Sequence, residues 1–265
     1  MTKEVVKLNG LFLQGGGAKG AFQAGVIYGL YERGYNFNVI SGTSIGAIHG
    51  YFIYKDEIEK LKSFWLGNGV DLVNKDMYFN RVIENQGVID YLKNLDGENS
   101  EVDKAYVNYV HVENKQLKEV VVDITKSPDR DKLKAIKYSA LLPYRVNGYC
   151  SIEDINNDFD SSNMYDNFVE DLESGIYESY NLDGGMINNN FLSPFVKNKV
   201  DKLYLIVFRK GYRIPDYIKR NYSEEDVVVI EPETAFKPED TLRFEYDFVK
   251  SIFEEGYDVS QRMSC

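Results

Sequence analysis

Val39-Ile40-Ser41-Gly42-Thr43-Ser44-Ile45-Gly46-Ala47 decides the fold. Two β-favouring residues end at a Gly-x-Ser-x-Gly turn, and Ile45, Ala47 and Ile48 open a helix directly behind it. A serine in this setting stands at the tip of a sharp strand-to-helix turn with its hydroxyl exposed. Gly42 and Gly46 flank it because side chains there would crowd the turn. The helix behind it supplies unpaired N–H groups and a partial positive charge beside Ser44. The five-residue pattern alone is equally that of a tight turn without chemistry.

Upstream, residues 5–13 read as a buried strand, interrupted at Asn9-Gly10, that runs into Gln14-Gly15-Gly16-Gly17-Ala18-Lys19-Gly20. A helix is predicted over 18–33, with Phe22, Val26 and Leu30 at helical spacing. Gly34 ends it as a left-handed cap. Gly25 and Gly29, one turn apart, predict close approach to a sheet. Residues 37–41 form the strand that delivers Ser44. Strand, glycine loop, helix, strand, elbow and helix make a parallel pair with a right-handed crossover. Both turns then lie at the carboxyl edge of the sheet, where open α/β sheets place their sites.

Downstream, helices are predicted over 56–66, 86–95 and 131–139. A hairpin is predicted from strands 106–112 and 117–124. Two buried strands follow at 202–208 and 227–230, and a final helix at 241–255 is closed by Gly256. Residues 147–180 are acidic and Asn-rich and read as a surface insertion with a helix near 165–173. Phe168, Leu172 and Ile176 fall on one face of it. Placed just before Asp183, residues 148–180 suit a lid over a pocket. With no linker and no repeat, residues 1–265 read as one α/β domain.

The chain has a net charge of −11, which disfavours nucleic acid and unspecific adsorption to anionic membranes. No apolar run reaches transmembrane length. Residues 1–6 lack the apolar region of a signal peptide. Two cysteines, Cys150 and Cys265, make no disulfide framework. These features point to a cytoplasmic protein with at most peripheral membrane contact. No metal-ligand spacing is present, so neither metal nor other cofactor is expected.

The glycine loop fits a dinucleotide fingerprint, an oxyanion-binding loop or a packing turn. The dinucleotide reading needs an acid at the end of the second strand, where Ser41-Gly42 stands instead. A phosphate-binding P-loop needs Ser or Thr after Lys19, and Gly20 follows. A serine nucleophile needs a base, and the chain has two histidines, His49 and His111. His49 lies beyond one helical turn from Ser44, and His111 sits on a hairpin strand. Asp183, in Asp183-Gly184-Gly185, is the remaining candidate, against the competing reading of an Asx turn.

Gly15-Gly16-Gly17-Ala18-Lys19-Gly20, then Gly42-Thr43-Ser44-Ile45-Gly46, then Asp183-Gly184-Gly185 resemble the motifs of the patatin-like phospholipase family. Tyr138-Ser139-Ala140-Leu141-Leu142-Pro143 is similar to the family's Ala-Ser-x-x-x-Pro stretch, Asn189 to its asparagine after Asp-Gly-Gly, and Gly256-Tyr257 to its closing Gly-Tyr. The resemblance implies a three-layer α/β/α fold, with a central, mainly parallel sheet and helices on both faces. It implies a Ser44–Asp183 dyad in place of a triad, which accounts for the missing histidine. It also implies an oxyanion or substrate-binding set from Gly15, Gly16, Gly17, Lys19, Gly20 and Ile45, supported by Gly42, Gly46, Gly184 and Gly185. The expected substrate is a membrane lipid or lysolipid at an interface. An activating partner or a homo-oligomer is left open. Departures are Lys19 for the usual Arg, Gln14 for Asp, a longer 143–183 interval and a proline displaced to Pro194. The alternative is a non-catalytic lipid- or nucleotide-binding module on the same architecture.

Overall fold

Leu11, Phe12 and Leu13 are each fully buried, so the first strand has no solvent face. That requires cover on both sides, as in parallel sheets. In the computed structural model, which describes residues 7–73, 75, 77–156 and 159–263 (Ser161 as backbone only), this strand is the interior β1, Asn9–Leu13. Val5 and Val6 of the expected strand, Cys265, and residues 157–158 of the expected insertion lie outside the described residues.

The other strands are β2 (Val39–Gly42), β3 (Met77–Val82), β4 (Lys104–Glu113), β5 (Gln116–Asp123), β6 (Pro143–Cys150), β7 (Asn181–Asp183), β8 (Lys202–Ile206) and β9 (Val227–Ile230). The principal sheet runs β5-β4-β2-β1-β8-β9, with β7 paired to β4. β1, β2, β4, β8 and β9 are mutually parallel, while β5 and β7 are antiparallel to β4. β3 and β6 form a separate antiparallel ribbon.

Helices α1 (Gly20–Glu32), α2 (Ile45–Tyr54), α3 (Ile58–Leu66), α4 (Gly69–Val73), α5 (Gln86–Leu92) and α6 (Asp129–Ser139) precede the ribbon's second strand. After it come α7 (Ile152–Asn156), α8 (Ser161–Glu173), α9 (Gly185–Asn188), α10 (Ser193–Lys197), α11 (Asp216–Lys219) and α12 (Tyr246–Arg262). On β1, Leu11 and Leu13 face the core of α1, α2, α3 and α12, while Phe12 faces a second core with Phe195 of α10 and Ile218 of α11. The molecule is therefore a three-layer α/β/α sandwich around a mainly parallel sheet.

Three expectations are corrected. Gly25 and Gly29 face a helix and not a sheet: a Cβ on Gly25 would stand 2.0 Å from Phe253 O, and one on Gly29 1.9 Å from Ser260 Oγ, both in α12. Gly256 does not close the last helix but lies inside it, where a Cβ would meet Phe22 O at 2.0 Å. These glycines let the backbones of α1 and α12 touch. Residues 147–180 hold the expected helix, but they are not wholly a surface insertion, because the stretch begins inside a strand paired with β3. They contain the second half of β6, then α7 and α8, with Asp160 capping α8 by accepting from the Ser162 and Asn163 N–H groups at 2.7 and 3.0 Å.

Phe168, Leu172 and Ile176 pack into a third core with Val110, Leu141 and Leu182. Gly34 does cap α1 in the left-handed conformation, at φ 78°, its N–H donating to Tyr31 O at 2.9 Å. No helix among the described residues is long and apolar enough to cross a membrane.

Candidate active site

β2 ends at Gly42, and the chain reverses into α2 with Ser44 at φ 57° and ψ −123°. A non-glycine residue at positive φ is strained and persists only where its surroundings hold it. The surroundings here are backbone. A Cβ on Gly42 would stand 2.3 Å from Gly46 O, and one on Gly46 2.1 Å from Leu13 O. The Ser44 N–H donates to Ser139 Oγ at 2.9 Å.

The Ser44 hydroxyl and the Asp183 carboxylate line the same cavity, near enough for the hydroxyl to pull the carboxyl pKa down. Asp183 ends β7, its own N–H donating to Leu141 O at 2.9 Å. It is 5% exposed. Burial raises its pKa to about 6, against the opposing pull of the Ser44 hydroxyl and the Gly185 N–H. The Gly185 N–H donates to Asp183 Oδ1 at 2.7 Å. Ser139 links both halves, since its carbonyl also accepts from the Gly184 N–H at 3.3 Å. A Cβ on Gly184 would meet Asn108 O at 2.5 Å, so the turn after Asp183 presses against β4.

The glycine loop passes beside Ser44. Gly17 has φ 57°, and a Cβ there would stand 2.0 Å from Thr241 O. A Cβ on Gly20 would meet Ile45 Cγ1 at 2.5 Å. Gly15 is clamped: its N–H donates to Asn189 Oδ1 at 2.8 Å, and Asn189 Nδ2 returns a bond to Gly15 O at 3.0 Å. The Gly15 N–H is thus taken. The N–H groups of Gly16, Gly17 and Ile45 have no hydrogen-bond partner among the described residues. Lys19 borders the same space; burial lowers its pKa, and the Asp240 carboxylate partly opposes that.

Both histidines are elsewhere. His49 is fully buried, with its pKa lowered by burial to about 3. Indole N–H is a donor only, so Trp65 Nε1 donates to His49 Nε2 at 2.9 Å and Nδ1–H donates to Gln23 Oε1 at 2.8 Å. Gln23 in turn donates to Gln14 O at 3.3 Å, at the base of the glycine loop. His111 lies on β4 with Nδ1 3.0 Å from Asn181 Oδ1. Among the described residues no group of three or more His, Cys, Asp or Glu is placed to hold a metal.

Ser44 and Asp183 open on a cavity of ≈ 330 Å³. Its walls are mostly apolar, with Ile48, Phe64, Ile83, Val88, Leu142 and Phe244 among them. Its cover is Met77 of β3, Ile152 of α7, Phe159, and Met164 and Tyr165 of α8. Within the cover, α8 is tied to the β3–β6 ribbon by Asp171, which is 4% exposed and accepts from Arg145 at 2.8 and 3.1 Å and from Arg81 at 3.4 Å. Such a space suits a flexible hydrocarbon chain with one polar reacting end.

Asn108 escaped the sequence reading. Fully buried on β4, it accepts from Thr43 Oγ1 at 2.7 Å and donates to Glu119 Oε1 and Asn188 O at 2.9 and 3.1 Å. It therefore ties the residue before Ser44 to the turn after Asp183. An asparagine inside a strand of Tyr and Val was the available signal, because asparagine is disfavoured there.

Residues 11–93 match the family model for patatin-like phospholipases. A lysophospholipase (nte1) of Aspergillus terreus is 51% identical over 47 residues, which is 18% of this chain and 3% of that protein. Among solved structures, VipD from Legionella pneumophila aligns at TM-score 0.47 and 12% identity, over 96% of this chain and 72% of that one. ExoU in its heterodimeric complex with SpcU, from the type III secretion system of Pseudomonas aeruginosa, aligns at TM-score 0.42 and 14% identity, over 96% and 52%. The chain thus spans 3% of the length of its curated relative and 52% of the ExoU structure. The first strand, the glycine loop and the serine elbow all lie inside residues 11–93, the part of the chain that is similar to the patatin-like phospholipases.

Proposed function

We propose that this chain is a lipid acyl hydrolase of the phospholipase A or lysophospholipase type, working through a Ser44–Asp183 dyad without metal. The observation that carries the reading is the pairing in one cavity of the Ser44 hydroxyl with a buried carboxylate, Asp183, whose pKa is raised to about 6. A carboxylate of ordinary pKa is a poor base for a hydroxyl, and burial moves Asp183 toward the working range.

Asp183 takes the Ser44 proton as Oγ attacks the acyl carbonyl. The oxyanion is held by the Gly16, Gly17 and Ile45 N–H groups, which are otherwise unpartnered. Gly15 supports them through its Asn189 clamp. The tetrahedral species expels the alcohol, which leaves with the proton from Asp183. Water then gives a proton to Asp183 and attacks the acyl-serine. Collapse releases the carboxylic acid and returns the proton to Ser44 Oγ. The acyl chain lies in the apolar cavity, and residues 148–180 serve as its cover, with Ile152, Phe159, Met164 and Tyr165 on the inner side.

A fluorophosphonate probe is expected to label Ser44, as read by peptide mapping. Label should be absent from Ser44→Ala and nearly absent from Asp183→Asn, and EDTA should leave labelling intact. Label on another residue, or none, would sink the dyad.

The pH dependence has a defined sign. The base form of Asp183 is required, so kcat/KM is expected to rise through about pH 6. The stability effect runs oppositely. A buried carboxyl with a raised folded pKa favours the fold fully below its unfolded value of 3.8, and that contribution is lost as pH climbs through about 6. At neutral pH the buried charge costs roughly 3 kcal/mol. Asp183→Asn should therefore be inactive and yet more stable than the parent above pH 6, the gap closing below pH 4. Equal thermal stability across that range would count against a buried, ionised Asp183.

A further inference from the structure

The chain's net charge is −11, yet residues 196–222 hold eight Lys and Arg against two Asp. Arg209, Lys210 and Arg213 of this segment sit on the loop that leaves β8. β8 is parallel to β1, with Ile206 opposite Leu13, so the loop emerges at the same sheet edge as the glycine loop. The two loops are joined directly. The Gln14 N–H donates to Ile206 O at 3.3 Å, and the Phe208 N–H donates to Gln14 Oε1 at 2.9 Å.

The three cations border a second cavity, of ≈ 590 Å³, together with Gln14, Asn190 and Tyr212. All three side chains are exposed, and none is ion-paired among the described residues. The loop is nevertheless shaped. Glu231 accepts from the Gly211 and Tyr212 N–H groups at 2.8 and 3.1 Å, Gly211 takes φ 69°, and Tyr212 Oη donates to Asn190 Oδ1 at 3.0 Å. A basic loop is ordinarily a solvated surface. The wall of this one is unusual in position. Gln14 and Asn190 line the basic cavity, while the adjoining Gly15 and Asn189, bonded to one another, line the apolar cavity with Ser44.

The geometry points to a site for the phosphate of the substrate's headgroup at Arg209, Lys210 and Arg213, across the Gly15–Asn189 seam from the acyl cavity. The inference rests on the acyl-hydrolase reading above. Arginine forks bind phosphate oxygens in pairs, and lysine adds a point charge. On a protein that repels anions elsewhere, the cluster is a local attractor for one. The enzyme then favours monoacyl lipids carrying a phosphate over neutral glycerides of the same chain.

The test is calorimetry on the full chain carrying Ser44→Ala, which turns nothing over. Lysophosphatidylglycerol and a monoacylglycerol of equal chain length are titrated below micellar concentration, with and without Arg209→Gln/Lys210→Gln/Arg213→Gln. The phosphate lipid should bind at least about tenfold more tightly, with the advantage shrinking in salt and vanishing in the triple variant. Equal binding of the two lipids, or an advantage that survives the triple variant, overturns the site. Lys210→Gln alone should lose part of the advantage, which guards against misfolding of the triple variant; full retention in it counts against the site. Inorganic phosphate should compete with the phosphate lipid; if it saturates the cleft without displacing the lipid, the cleft is a free-phosphate site and the headgroup assignment falls. Failure of probe labelling at Ser44 removes the hydrolase reading, whereas loss of the lipid preference alone removes only the headgroup site.

Discussion

Two non-glycine residues near the apolar cavity hold a positive-φ backbone: Ser44 in the floor at φ 57° and Arg81, on the β3 strand of the cover, at φ 59°. They are held by different means. Ser44 is fixed by main chain pressed on main chain, with Gly42 against Gly46 and Gly46 against Leu13. Arg81 is fixed by side chains: Tyr177 Oη donates to its carbonyl at 2.9 Å, and Asp171 accepts from its guanidinium. A floor of backbone contacts has no soft coordinate and keeps the reacting atoms in register. A cover tied by polar side chains can yield without unfolding the sheet.

The contrast can be broken from the floor first. Ser44→Ala is expected to cut kcat on short p-nitrophenyl esters by at least about 10³-fold with the fold intact, and adding Asp183→Asn should change little, because the pair acts as a unit. A double variant far worse than either single one would mean the residues work separately. Gly46→Ala, which sets a methyl 2.1 Å from Leu13 O, should cost roughly 3 kcal/mol of stability, read as a fall in denaturant midpoint. A neutral result would show that the floor flexes.

From the cover side, Asp171→Ala should cost only about 1–2 kcal/mol, because Arg145 stays partly solvated and keeps Glu170. Its signature should be a several-fold rise in KM at nearly constant kcat; an equal fall in kcat would place the cover in the chemistry. Smallest of all on catalysis is His49→Ala, expected to lower melting temperature by stranding Trp65 and Gln23 while kcat falls less than about tenfold. A loss near that of Ser44→Ala would return a histidine to the mechanism.

The same contrast explains what could be read from the sequence. The floor is written in contiguous residues: Leu11 to Leu13, the triple glycine and the Ser44 elbow follow one another, and each glycine announces a close contact. Asp183 was legible as a residue, but its burial was not, since that depends on β4, Leu141 and Ser139 meeting around it. The cover was misread because β6 finds its partner β3 across more than sixty residues of chain, and its Asn147-Gly148 pair reads locally as a turn. Gly25 and Gly29 signalled close approach correctly but could not name the partner, which lies at the far end of the chain.

That partnership sets a clock on biosynthesis. α1 is buried over almost its entire length, and one of its faces is filled only by α12; Gln261 bonds to Gly29 across 232 residues. At about 5–20 residues per second the glycine loop and the serine elbow leave the ribosome on the order of 10–50 s before the helix that completes their core. Through that interval Ser44 stands on a nascent chain whose α1 still lacks its α12 partner, so the floor of the cavity is completed long after the serine elbow has been made.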